Sequence, residues 1–349
     1  MRRRLIAAAA LMCADFLGPI SGHAAEPEMT LRIVGGLAGQ PVYAAKEVPF
    51  WQTRIAAATG GRLKGEITPF DRSGIRPEEM LNLIQLGAMP FGTVQFGPAS
   101  LFEPFLLGYD LPGLNPDFAS LRANAAAFRA QIEKHLRDQH DVELLAVYTY
   151  PAQLVFCAEP FSDLSQLAGR RVRAASAATS RMLEALGALP VLVPFAQVVD
   201  AVHKRVVDCV VTAATSGNIL GLHRATTHIS PMPINFGPMG FMANGAAWRK
   251  IPKDLQDILR RELAVLEAEI WDMSEHDTRD GLACNVGQKA CALGERGKMM
   301  LVPVSAADER RMREILRTLV LPEWIARCGE TCRSVWNETL GAKLDMPIP

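Results

Sequence analysis

Residues 171–211 read RVRAASAATSRMLEALGALPVLVPFAQVVDAVHKRVVDCVV, and their periodicity decides the class of fold. Residues 171–174 alternate as a strand does, and 179–186 carry apolar residues at helical spacing. Residues 191–193 form a second strand, 195–204 a second helix and 207–211 a third strand. This β-α-β-α-β order predicts a mostly parallel sheet with helices on its faces. In such a strand Arg171 and Arg173 share one face, while Val172 faces the other way.

The same order recurs nearer the N-terminus. Residues 31–34, 63–68 and 92–96 read as strands, 44–58 and 77–86 as helices, and 144–150 and 154–158 as further strands between the two series. Two α/β units result, which suits a chain of 349 residues. One element stands apart. Pro252 fits a first helical position. Leu255, Ile258, Leu259, Leu263, Leu266, Ile270 and Met273 then recur at steps of three and four, up to about Gly281. About 29 residues at 1.5 Å each is roughly 43 Å, long enough to brace both units.

Arg2, Arg3 and Arg4 precede an apolar run that Asp15 breaks, and Gly22-His23-Ala24 offers a cleavage site. This reads as an export signal over 1–24, too short to span a bilayer, and implies a periplasmic protein. Its removal takes Arg2, Arg3, Arg4 and Asp15 away and moves the net charge from zero to −2. A near-neutral surface argues against a nucleic-acid partner.

Of the seven cysteines, Cys13 leaves with the signal. Cys157 and Cys209 sit inside apolar runs and read as buried free thiols. The other four come as two close pairs. Export favours disulfides, and four cysteines allow three connectivities. The spacing makes Cys284–Cys291 and Cys328–Cys332 the expected pairs, although the second spacing suits a bridge poorly inside a regular helix. A zinc site is not expected, because no histidine lies close in sequence to either pair.

Enzyme signatures are missing. Residues 35–39 read Gly-Gly-Leu-Ala-Gly but lack dinucleotide or phosphate-loop spacing, and a turn near a cleft accounts for them. There is no Gly-x-Ser-x-Gly elbow and no His-Glu-x-x-His. The histidines His135, His140, His203, His223, His228 and His276 are scattered. The reading therefore expects no catalytic residue, no metal and no cofactor. What remains is recognition chemistry: Arg173, at a strand end beside a helix start, can hold a carboxylate with its planar fork.

The segment 163–211 resembles the DctP-type solute-binding proteins of tripartite ATP-independent periplasmic (TRAP) transporters. The resemblance rests on Leu167 to Arg173, Leu183-Glu184-Ala185-Leu186-Gly187-Ala188, Pro194-Phe195-Ala196-Gln197-Val198 and Arg205-Val206-Val207-Asp208-Cys209. It extends to Ala243-Asn244, Trp248 and Ile251 to Leu255, and back to Thr59 to Lys64 and Leu86-Gly87-Ala88. It implies a two-lobed, periplasmic-binding-protein-like α/β fold with the long helix spanning both lobes. Lobe I is expected over 25–150 plus 238–277, and lobe II over 151–237 plus 278–349. Crossovers should fall near 148–153 and 235–240, where Gly237 and Gly240 ease backbone change.

The resemblance makes Arg173 the carboxylate-binding arginine. It also implies a small organic acid as ligand, TRAP permease subunits as membrane partners, and binding without turnover. Where many relatives carry an arginine past the first crossover, Gln153 stands here; where many carry glutamate and asparagine, Val211 and Thr212 stand. Aromatic residues cluster instead: Tyr148, Tyr150, Phe195 and Phe236, with Met239 nearby. The expected ligand site is Arg173, Gln153, Thr212, Phe195, Tyr150, Phe236 and Asn235, suited to a low-polarity, even aromatic, monocarboxylate.

Overall fold

The structure is a computed structural model that describes residues 29–349. The expected signal segment 1–24 lies outside the described residues. The strands are β1 (Met29–Val34), β2 (Leu63–Thr68), β3 (Phe91–Gln95), β4 (Val142–Thr149), β5 (Gln153–Cys157), β6 (Arg171–Ala174), β7 (Leu189–Leu192), β8 (Cys209–Ala213), β9 (His228–Asn235), β10 (Pro238–Asn244) and β11 (Met300–Leu301). One sheet has the order β2-β1-β3-β10-β4, the other β11-β9-β5-β8-β6-β7.

The segment 171–211 folds as its periodicity predicts, with β6 parallel to both β7 and β8. The sheets are nevertheless mixed. β10 runs antiparallel to β3 and β4, and β5 antiparallel to β8 and β9. Residues 150–152 carry the chain from β4 in the first sheet to β5 in the second. Residues 236–237 carry it back from β9 to β10. No helix intervenes in these short links to return the chain to the parallel direction.

The sequence reading assigns no element to three stretches that the structure orders. The helix Phe118–His140 starts on an Asp117 cap that accepts from Ser120 N at 2.7 Å. β9 contains Pro231 and Pro233, which count against a strand; its neighbours are β5 and the two-residue β11. β10 is apolar up to Asn244 and buried on both faces, so it shows no alternation.

The long helix runs Lys253–Asn285, 33 residues, or about 50 Å. Its first half buries Leu255, Leu259, Leu263, Leu266 and Ile270. Trp271 Nε1 and Ser274 Oγ donate to the Val147 and Thr149 carbonyls of β4, at 2.8 and 2.7 Å. Further on, Thr278 Oγ1 accepts from Ala152 N at 3.0 Å, and Asn285 Nδ2 donates to Ala214 O at 2.9 Å. The helix therefore braces both sheets. It passes through Gly281, the expected stop, where a Cβ would stand 2.3 Å from Thr215 N. That glycine serves a close approach to the helix Ala214–Leu220.

Both expected disulfides are present, and a third joins them. Cys157 and Cys209 face each other in the β5–β8 ladder, with Cα atoms 4.1 Å apart, and are bridged. The reading as free thiols is corrected. Cys328 and Cys332 do not share a regular helix: Gly329, at φ 82°, separates Leu321–Cys328 from Glu330–Trp336. These last helices reach back to the first unit, where Trp324 Nε1 and Arg327 Nη2 donate to the carbonyls of Pro104 and Ser100 at 2.7 and 2.9 Å.

Candidate functional site

A cleft of about 530 Å³ opens between the two sheets. Arg173 enters it from β6, the second residue after Arg171, but the two arginines have different fates. Arg171 is half-exposed and paired with Asp208, Nη2 to Oδ1 at 2.6 Å. Arg173 is only 5% exposed. Its Nε donates to Val193 O at 3.0 Å and its Nη1 to Val211 O at 2.8 Å. Among the described residues no carboxylate pairs with it, and no other formally charged side chain lines the cleft. Burial pulls its pKa down to about 10, so it remains a cation at neutral pH. A guanidinium has five N–H donors; two are engaged, and three are left for a ligand.

Ser176 caps the adjacent helix Ala177–Ala185, accepting from Thr179 N at 3.2 Å. Ala175, Ser176 and Thr179 all line the cleft, so the positive end of this nine-residue helix faces the same space as Arg173. Cation and helix end together suit an anion.

Six of the seven expected residues line the cleft: Arg173, Gln153, Thr212, Phe195, Tyr150 and Asn235. Phe236 does not. Its ring is fully buried against Phe118, with centroids 4.7 Å apart and edge to face. It acts through its backbone instead: its N–H donates to Asp110 Oδ2 at 3.0 Å, and its carbonyl accepts from Gln153 Nε2 at 3.1 Å. Gln153 Nε2 also donates to Pro151 O at 2.8 Å, so its amide ties the two crossovers together and leaves only Oε1 toward the cleft. Asn235 Oδ1 is buried without a partner. The Tyr150 hydroxyl sits beside the Leu37 amide without meeting it at hydrogen-bonding geometry.

Tyr148 and Met239 are core residues. Tyr148 Oη donates to the buried Glu47 at 2.5 Å, and Thr93 Oγ1 donates to the same oxygen at 2.8 Å. Gly36 N donates to the other oxygen at 2.6 Å, so the glycine-rich turn is anchored at the cleft's edge. Burial raises Glu47 even against these three bonds.

The sequence reading misses Gln40 and Ser216. Ser216 Oγ donates to Gln40 Oε1 at 2.7 Å, both side chains buried and both lining the cleft. They lie 176 positions apart, and only the proximity of Gln40 to the glycine-rich turn hints at it. Asp110 is missed too. It is fully buried and accepts from Phe236 N, from Gly237 N at 3.0 Å and from Asn115 Nδ2 at 3.0 Å, fixing the second crossover. Burial pushes it up to about 7 against these bonds.

Residues 38–320 match the family described as bacterial extracellular solute-binding protein, family 7 (DctP). The chain is 27% identical over 218 residues to the outer membrane transporter protein TsaT of Comamonas testosteroni, covering 61% of this chain and 62% of that relative. The match thus spans less than two thirds of the relative's length. Among solved structures, a Bordetella pertussis extracytoplasmic solute receptor binding pyroglutamic acid superposes with a TM-score of 0.77 at 19% identity, covering 88% of this chain and 98% of that one. A TRAP periplasmic solute-binding protein of Desulfovibrio salexigens with bound orotic acid superposes with a TM-score of 0.78 at 17% identity, covering 91% and 99%. At these identities the likeness to solved structures is one of fold.

Proposed function

The chain belongs to family 7 of the bacterial extracellular solute-binding proteins, and from that premise we propose that it captures a small, low-polarity monocarboxylate in the periplasm and delivers it to TRAP permease subunits. The family is one of binding proteins and not of enzymes. No helix among the described residues is long and apolar enough to cross a membrane.

The observation that carries the reading is Arg173: a buried guanidinium with two carbonyl partners, three spare donors and no carboxylate of its own. A carboxylate leaving water loses strong hydration, and a charged, forked donor replaces it well. One cation in an otherwise uncharged cleft favours one negative charge on the ligand. Leu37, Leu192, Val193, Pro194 and Phe195 line much of the rest, which favours an apolar or aromatic body. Thr212 and the Oε1 of Gln153 offer orienting polar contacts, as do the unpartnered atoms of Tyr150 and Asn235. The volume, about 530 Å³, suits a small molecule. Pyroglutamate and orotate, held by the two solved relatives, are both small rings bearing one carboxylate.

Closure belongs to the same proposal. The lobes over 25–150 plus 238–277 and 151–237 plus 278–349 hinge at the crossovers 150–152 and 236–237, and Ser216–Gln40 fastens them. From the end of the second lobe, Trp324 and Arg327 reach across to carbonyls of the first. The test is a thermal-shift screen of the exported chain against aliphatic, heterocyclic and aromatic carboxylates, each beside its uncharged amide, followed by calorimetry. The acids should raise the melting temperature and the amides should not. Equal shifts for acid and amide, or binding of polyhydroxy acids alone, would overturn the reading.

A further inference from the structure

Away from the cleft, three side chains converge. His135 and His140 lie at the end of the helix Phe118–His140. Glu103 begins the short turn Pro104–Leu107, its Oε1 accepting from Phe105 N at 3.3 Å. One carboxylate oxygen thus faces each imidazole: Oε1 is 3.2 Å from His135 Nε2, and Oε2 is 2.8 Å from His140 Nε2. The three ligand atoms lie within 4.8 Å of one another.

Both rings are held from behind. His135 stacks on Phe105 with centroids 4.1 Å apart and planes 3° from parallel. His140 Nδ1 is 3.0 Å from Gln85 Oε1. The tautomer that donates Nδ1–H to Gln85 leaves Nε2 as the atom able to bind a cation beside Glu103. His135 Nε2 is buried without a partner at hydrogen-bonding geometry. Two imidazole nitrogens thus converge on one carboxylate, a set of donors that a cation can share.

We propose that Glu103, His135 and His140 form a binding site for a zinc-class divalent cation, with Gln85 as its positioning residue. Two histidines and a carboxylate are a zinc-type ligand set. Each imidazole nitrogen lies 3.2 or 2.8 Å from its nearer carboxylate oxygen, so small side-chain rotations bring one atom from each residue to the roughly 3.3 Å edge of a tetrahedron built on bonds of about 2.0–2.1 Å. A cavity of about 420 Å³, lined in part by Phe105 and His135, lies beside the cluster. None of the three residues lines the ligand cleft, so the ion is structural: it ties the loop before Pro104 to the end of the helix Phe118–His140. The sequence hides the site, because Glu103 is 37 residues from His140 and no short motif joins them.

The exported chain, stripped with chelator, is dialysed against zinc and its metal content counted, and cobalt(II) is titrated in as a visible probe. One zinc per chain and the visible bands of tetrahedral cobalt with nitrogen and oxygen ligands are expected. His140→Gln and Glu103→Gln should lose both, and Gln85→Ala should weaken zinc by about 10–100-fold, the usual effect of removing a ligand's outer partner. Equal zinc content in the wild type and His140→Gln, or cobalt that stays octahedral, would overturn the proposal. The cobalt spectrum is read on the wild type, so a variant that misfolds leaves the test intact.

Discussion

Replacing Arg173 by alanine separates affinity from stability. In the ligand-free chain the guanidinium is buried with no counter-charge, so truncation relieves its desolvation while depriving the Val193 and Val211 carbonyls of donors. Each lost hydrogen bond is worth about 1 kcal/mol, and both carbonyls lie at a cleft that water can enter. The net change in folding stability should therefore be small. The ligand-bound chain loses far more. Removing one member of a buried, hydrogen-bonded charge pair costs about 2–5 kcal/mol, and about 1.4 kcal/mol is tenfold, so affinity should fall by roughly 30-fold to several thousandfold. Arg173→Lys keeps the charge but loses the fork that serves two carbonyls and a carboxylate together, so it should fall between. Arg170 is the control. It donates to the carbonyls of Glu159 and Pro160 and does not line the cleft, so Arg170→Ala should shift affinity by less than about threefold, the scale of a surface contact. Calorimetry with the tightest carboxylate from the screen, alongside melting curves, measures both quantities. Full affinity in Arg173→Ala, or equal losses in Arg170→Ala and Arg173→Ala, would refute the clamp.

Three further outcomes follow from the same geometry. Phe236→Ala should destabilise the fold by about 3–5 kcal/mol, the cost of emptying a buried aromatic site, whereas Phe195→Ala should alter affinity with little change in melting temperature; the reverse pattern would put Phe236 back in the site. Asp110 holds a raised pKa of about 7 in the native state, against about 3.9 unfolded. Below about pH 4 both states carry the proton and its contribution is whole; as pH rises to about 7 only the native state retains it, so stability falls across that window and levels off above it. Denaturation at pH 5 and pH 8 should show this fall in the wild type and a smaller one in Asp110→Asn. Alkylation of the denatured, unreduced chain should leave Cys157, Cys209, Cys284, Cys291, Cys328 and Cys332 unmodified, and reduction should expose all six; labelling of Cys157 and Cys209 without reductant would contradict the strand bridge.

Local pattern determined much of this protein. The alternation and helical spacing over 171–211 specify β6, β7, β8 and the helices between them, because side-chain period follows backbone geometry over a few residues. The apolar steps from Leu255 to Ile270 likewise specify a helix long enough to brace two sheets. Arg173 is legible for the same reason: a strand end beside a helix start is a local arrangement. Tertiary structure alone decided the rest, because it depends on which distant segments meet. Gly281 looks like a helix stop until the chain Ala214-Thr215 packs against it. Cys157 and Cys209 look like two separate core thiols until β5 and β8 pair in the register that sets them opposite. Phe236 looks like a cleft residue until the crossovers meet and turn its ring into core, and the same meeting spends the Gln153 amide nitrogen on backbone, leaving only its oxygen for the cleft. Gln40 joins Ser216, and Glu103 joins His135 and His140, only once the chain has folded. Periodicity encodes how a residue sits on its own element; contact between elements is set by packing over tens of residues, where no period survives.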